Sequence, residues 1–174
     1  MKERGLEVKT ESGADTIDNR LYVLDVFIIS GPVTEEFVTK NKVISRTIEI
    51  RGDQTLEDLH NAIFRAFDRE EQHMYEFQFG RGPYSPDGRV YILPAALGSS
   101  GAKIAGYATR TTIGSLNLKV GHAFGYCFDF GDEWIHRINV VSIGDEAPPG
   151  EYPRVAKRVG ESPPQYAEWD NEGG

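Results

Sequence analysis

An α+β fold is predicted by three features of this chain: two β-branched strands in succession, a capped amphipathic helix directly after them, and a long aromatic C-terminal β-hairpin. Strand, strand, helix opens a β-grasp-like domain, a mixed sheet of β-β-α-β order with one main helix packed on it. At 174 residues the chain is long enough for one such domain with tails.

Residues 1–19 are polar and mixed in charge, which predicts a disordered tail ahead of a domain spanning 20–144. Leu21–Ser30 is rich in β-branched and aromatic residues and is stopped by Gly31-Pro32, a strand and its end. Val43–Arg51 alternates, with Ile44, Arg46, Ile48 and Ile50 on one face and Val43, Ser45, Thr47 and Glu49 on the other. The two strands pair as a hairpin across a loop of about a dozen residues.

Thr55 then caps a helix, with Asp58 placed for a capping box and for the helix dipole. Leu56, Leu59, Ile63, Ala66 and Phe67 recur at three- and four-residue steps and form its apolar stripe. His73, Tyr75, Phe77 and Phe79 alternate with Met74, Glu76 and Gln78, a strand with one aromatic face, which Gly80, Gly82 and Pro83 end. Arg89–Leu93 is a short strand before Pro94, Ala95–Lys103 a small-residue loop, and Thr111–Leu116 a single helical turn. Within that loop, Gly98–Lys103 lacks the spacing of a phosphate-binding loop.

The hairpin Gly121–Ile143 gathers aromatics, carboxylates, His136 and the single cysteine, Cys127, around Gly131-Asp132. A two-residue turn there would set Cys127 opposite His136 and Asp129 opposite Trp134, a cluster resembling a nucleophile, a base and an orienter. A three-residue loop, Gly131-Asp132-Glu133, instead pairs Phe130 with Trp134, Phe128 with His136 and Tyr126 with Ile138. The hydrophobic pattern selects the second register, because it joins the apolar sets Phe124, Tyr126, Phe128, Phe130 and Trp134, His136, Ile138, Val140 on one face. Cys127 then points away from His136.

In that register His136 and Trp134 belong to the aromatic face, where a buried neutral imidazole bonded to a carbonyl or carboxylate is the ordinary state. Asp129 and Asp132 flank the turn, where aspartates bond backbone amides two residues on. The candidate ligand or partner surface comprises Asp129, Asp132, Trp134, His136, His73 and Arg154, and no residue is assigned a catalytic role. Neither the local spacing nor the lone cysteine forms a metal-ligand pattern, so no metal and no cofactor are expected.

The formal net charge of −8 repels polyanions, which argues against nucleic acid as a partner. Arg154, Lys157 and Arg158 would share a face on a helix, yet three charges make a small footprint. The sequence lacks an apolar run of the ~20 residues that cross a bilayer and the apolar core of a secretion signal, which points to no membrane partner and to a reducing cytoplasm. Residues 145–174, acidic and holding Pro148, Pro149, Pro153, Pro163 and Pro164, read as a segment that packs through Tyr152, Val155, Val159, Tyr166 and Trp169 before becoming disordered.

Four blocks together resemble the plasmid pRiA4b ORF-3-like family: Gly52–His60, His73–Phe77, Tyr126–His136 with its Asp-Phe-Gly-Asp-x-Trp-x-His core, and Tyr152-Pro153-Arg154. The resemblance covers roughly residues 20 to 166 and implies a prokaryotic domain associated with plasmids or mobile elements, with an α+β fold and no established activity. Many relatives carry cysteines after the last block, where this chain has Val155–Pro164, so no metal or redox role is carried over.

The residues therefore favour a binding or accessory module, with an unknown protein or small-molecule partner docking near the hairpin tip and the C-terminal segment. Two alternatives stand beside it. One is a hydrolase-like enzyme using Asp129, Asp132, His136 and His73; the other is a ubiquitin-like modifier or sulfur carrier acting through Gly173-Gly174.

Overall fold

The computed structural model describes residues 17–80, 88–96 and 103–167. Most of the predicted N-terminal tail, Gly82 and Pro83, the stretch 97–102, Trp169 and the terminal Gly-Gly lie outside these residues. The elements are β1 (Leu21–Ser30), α1 (Glu35–Lys40), β2 (Ser45–Arg51), α2 (Leu56–Ala66), β3 (Tyr75–Phe79), β4 (Arg89–Ile92), β5 (Lys103–Tyr107), β6 (Ala123–Phe128), β7 (Trp134–Gly144) and β8 (Arg154–Val159), with short 3₁₀ turns at Pro94–Ala96, Ala108–Arg110 and Ile113–Leu116.

The eight strands form one sheet in the order β5-β4-β3-β6-β7-β1-β2-β8. Every neighbouring pair is antiparallel except β4–β5. This is a mixed α+β architecture with few helices, and its strand order does not single out a β-grasp-like arrangement. The hairpin is central rather than C-terminal, since β7 also pairs along β1, and β8 follows it on the far edge.

Period-two alternation decides which face is buried. Tyr22, Leu24 and Val26 of β1, Ile48 and Ile50 of β2, Phe77 of β3, Tyr126 and Phe128 of β6, and Trp134, His136 and Ile138 of β7 turn to the same side and are inaccessible to solvent. α2 covers that side with Leu56, Leu59, Ala62, Ile63 and Ala66. Its start follows the sequence: Asp58 N–H donates to Thr55 Oγ1 at 3.1 Å while Thr55 N–H donates to Asp58 Oδ2 at 2.8 Å, the reciprocal capping box. A smaller cluster of Val90, Ile92 and Ala96, joined by Tyr107 and Phe130, forms on the other face.

Arg46 lies on the apolar face of β2 and is only 2 % exposed. Its guanidinium donates to the carbonyls of Ala66, Ser45, Val159 and Gly160 and to Ser162 Oγ at 2.7–3.1 Å, and it covers the Phe67 ring. These acceptors replace water around a buried cation, and Ala66 O, which also receives Arg158 Nη1 at 2.6 Å, lies at the negative end of α2.

Several elements differ from the sequence reading. The long loop after β1 contains α1, capped by Thr34. A strand that the sequence reading did not contain, β5, starts at the last residue of the predicted small-residue loop, and β8 occupies part of the proline-rich segment, so Arg154, Lys157 and Arg158 lie on an edge strand and not on one helix face. In the hairpin, Phe128 pairs with Trp134, Tyr126 with His136 and Phe124 with Ile138, across a loop of Asp129–Glu133. Asp129 and Glu133 adopt left-handed conformations, φ 67° and 55°, and Glu133 N–H donates to Asp129 O at 2.6 Å, which closes the ladder before Phe130. Phe130 is thereby released to the second cluster. The shift from the expected register is two residues, so each side chain keeps its face.

Candidate functional site

The hairpin tip is held from within. Asp129 Oδ1 accepts from Gly131 N–H at 3.0 Å and Asp132 N–H at 3.2 Å, the turn geometry expected of an aspartate before Phe-Gly-Asp. Its backbone N–H donates to Met74 O at 2.8 Å, fastening the tip to the segment entering β3. Asp129 Oδ2 remains available and lies 3.5 Å from His73 Nε2. The C-terminal segment completes the surface. Gln165 Oε1 accepts from the N–H groups of Glu70 and Glu71 at 2.7 and 2.9 Å, and Gln165 Nε2 donates to Glu71 O at 2.7 Å. Tyr166 Oη donates to Glu71 Oε2 at 2.6 Å and lies 2.8 Å from His73 Nε2, whose N–H can donate to it.

Glu71, Asp129, Asp132, His73 and Tyr166 thus share one neighbourhood. The hydrogen bond to Glu71 is the chief reason the Tyr166 phenol is raised to about 12, and the negative charges of Glu71, Asp129 and Asp132 add to it. Glu70, Glu71, Asp132 and Glu133 are exposed, His73 is half-buried and Asp129 is nearly covered.

Beneath this surface lies a sealed polar layer. His136 is fully buried; Arg69 Nη2 donates to its Nε2 at 2.8 Å, and its Nδ1–H donates to Tyr126 O at 3.1 Å. Burial first, then the Arg69 cation, holds this imidazole well below its usual range and therefore neutral. Arg69 is 7 % exposed and faces the rings of Phe128, Trp134 and Phe67 at 4.9, 5.1 and 5.2 Å from their centroids. Desolvation lowers its pKa to about 10. Among the described residues, Arg69 Nη1 and Trp134 Nε1 are buried without hydrogen-bond partners. His60 continues the layer: Tyr126 Oη donates to its Nδ1 at 2.5 Å, its Nε2–H donates to Gln72 Oε1 at 2.8 Å, and its ring stacks on Tyr75 at 3.7 Å.

The six candidate residues are consequently divided. His73, Asp129 and Asp132 meet at the surface, whereas Trp134 and His136 belong to the core below it. Arg154 is elsewhere: it pairs with Glu49 at 3.1 Å and lies over the Tyr152 ring. Glu49 is across from Val23, and Val23 from Ser142, which is on the order of 25 Å along β7 from Trp134 at ~3.3 Å per residue. No group of three or more His, Cys, Asp or Glu residues suited to a metal ion occurs among the described residues. Arg69, His60, Gln165 and Glu71 were not apparent from the sequence, where each reads as an ordinary polar residue in or beside a helix or loop. Tyr166 was visible only as an apolar packing residue.

The family model for the plasmid pRiA4b ORF-3-like protein matches residues 36–168. The chain belongs to this family. The family match contains the whole hairpin and the segment bearing Gln165 and Tyr166, but begins after β1, the strand that joins β7 to β2. The fold is similar to the crystal structure of MM3350, a protein of unknown function from Methanosarcina mazei Go1, with a TM-score of 0.62 and 22 % identity over 82 % of this chain and 71 % of that one. No curated protein matches the chain. Family and fold are thereby fixed without an activity attached to them. No described helix is long and apolar enough to cross a membrane.

Proposed function

We propose that the protein is a binding or accessory module, of the plasmid- or mobile-element-associated kind that its family description suggests, whose hairpin tip receives a basic segment of a protein partner. The observation that carries this reading is the joining of Tyr166 to Glu71 and His73 beside Asp129 and Asp132. This places several carboxylates around a hydrogen-bonding, half-apolar rim, a surface complementary to Lys or Arg side chains. The hydrolase alternative draws on the Asp129–His73 approach, but the burial of His136 removes one member of its proposed set.

The test is fluorescence anisotropy of the full chain against a pool of Lys/Arg-rich peptides. Comparison is made with a Glu71→Gln, Asp132→Asn double variant and with Arg154→Gln as a distant control. Binding weakened at least about tenfold by the tip variant, unchanged by the control and screened by salt, is expected. Equal binding by the wild type and the tip variant, or no peptide bound by the wild type, refutes the assignment. A metal-supplemented hydrolase panel decides the alternative, which requires turnover lost on Asp129→Asn.

A further inference from the structure

We infer that His73 is a proton-operated switch on the hairpin-tip surface: charged, its imidazolium occupies the carboxylates that a basic segment needs, and neutral, it leaves them open. The inference rests on the basic-partner reading of the tip and adds the control of that same surface.

His73 sits where the three parts of the tip meet. Its ring is held edge-on between Phe128 and Tyr166, with centroids 5.8 and 6.3 Å away and planes inclined by 75° and 80°. Phe128 is inaccessible to solvent, so one wall of this slot is the core itself, while 33 % of the His73 side chain is exposed and can exchange a proton with water. The titratable groups around the ring are Glu70 and Glu71 on its own segment, Asp129 and Asp132 on the hairpin loop and Tyr166 on the C-terminal segment. Arg69 belongs to the layer beneath, where it faces the Phe128 ring and donates to His136.

Tyr166 fixes the protons of the ring. Its Oη donates its single hydrogen to Glu71 Oε2 at 2.6 Å, and the phenol, raised to about 12 chiefly by that bond, keeps this hydrogen at neutral pH. Toward His73 Nε2, 2.8 Å away, the same oxygen can only accept, so Nε2 carries a hydrogen in both charge states. The titrating nitrogen is therefore Nδ1, and acid charges the ring without breaking its bond to Tyr166.

That charge falls among carboxylates. His73 Nε2 lies 3.5 Å from Asp129 Oδ2 and 3.9 Å from Glu71 Oε2. Asp129 Oδ1 is already taken by the N–H groups of Gly131 and Asp132, so Oδ2 is the oxygen that a Lys or Arg of the partner has to reach. The Asp129 side chain is only 10 % exposed, which limits screening, so an imidazolium at this distance neutralises the oxygen and repels an incoming cation.

The buried histidines do not share this role. Burial takes the His60 pKa down to about 4 and holds His136 well below its usual range, so neither gains a proton between about pH 7.5 and pH 5.5. His122 is exposed, but it precedes β6 and lies at the end of that strand remote from the hairpin loop.

Fluorescence anisotropy of the full chain with a histidine-free Lys/Arg-rich peptide, at about pH 7.5 and about pH 5.5 and constant ionic strength, tests the switch. The proteins are the wild type, His73→Gln as a ring that cannot charge, His73→Lys as a permanent cation, and His122→Gln as the distant control; circular dichroism confirms that each is folded. A proton that excludes the ligand costs up to about tenfold in affinity per pH unit. The wild type and His122→Gln are expected to bind about tenfold more weakly at the lower pH, His73→Gln to change by less than about twofold, and His73→Lys to bind weakly at both. An equal pH dependence in His73→Gln, or His73→Lys binding as tightly as the wild type at about pH 7.5, overturns the switch and leaves the basic-partner reading intact. Absence of binding by the wild type at both pH values overturns that reading, and the switch with it.

Discussion

Acid should destabilise this protein through His60 in a way that one substitution isolates. Burial is the main cause that takes the His60 pKa from 6.5 down to about 4, and nearby Arg69 acts in the same direction. The unfolded chain therefore binds a proton that the native chain refuses at pH values between these two. Stability from this group is complete above the unfolded pKa and is lost as pH falls towards the folded one. From about pH 8 to about pH 4.5 the linkage amounts to roughly 2.5 kcal/mol for His60 alone, a large share of the 5–15 kcal/mol typical of a domain. His136, also depressed, adds in the same direction. Urea denaturation of wild type and His60→Gln across this range is the assay. At pH 8 the variant should be weaker by about 1–3 kcal/mol, having lost a well-placed partner for Tyr126 Oη and Gln72. The gap should then fall by about 2.5 kcal/mol on acidification, vanishing or changing sign near pH 4.5, since the variant has no proton to gain at this position. A gap independent of pH would refute the claim that His60 is held neutral by burial, because other acid-sensitive groups act equally in both proteins.

Three further outcomes follow from packing and turn geometry. A Cβ at Gly31 would overlap the six-membered ring of Trp134, 2.8 Å from Cζ3, so Gly31→Ala should cost about 1–3 kcal/mol in denaturant unfolding and shift the tryptophan fluorescence. Asp129→Asn keeps an acceptor for Gly131 and Asp132 and tolerates φ 67°, so it should change stability by less than about 0.5 kcal/mol, whereas Asp129→Ala should cost about 1–2 kcal/mol. Thr55→Ala breaks the capping box of α2 and should lower stability by about 1 kcal/mol, with Thr55→Ser restoring most of it; thermal unfolding of the three proteins measures this.

The tip was only partly legible. Asp129 announced its turn because an aspartate two residues before a glycine has a local hydrogen bond to make, and that bond is present. Tyr166, Gln165 and Glu71 gave no such signal, since the bonds joining them span about 94 residues and exist only once β8 has carried the chain back to the tip.

Local chemistry in the sequence determined the existence and cap of α2, the buried faces of β2, β6 and β7, and the separation of Cys127 from His136. These follow from helical and period-two spacing, which each segment carries within itself. Tertiary structure alone decided the hairpin register, because a two-residue shift leaves every face unchanged and only the Asp129–Glu133 closure distinguishes the two registers. It also decided that β8 is a strand. Its exposed Arg154, Ala156, Lys157, Arg158 and Val159 show no alternation, and its backbone is ordered by pairing with β2. Arg46 and Arg69 are buried for the same reason: carbonyls and aromatic rings from distant segments stand in for the water that a local reading of an arginine assumes.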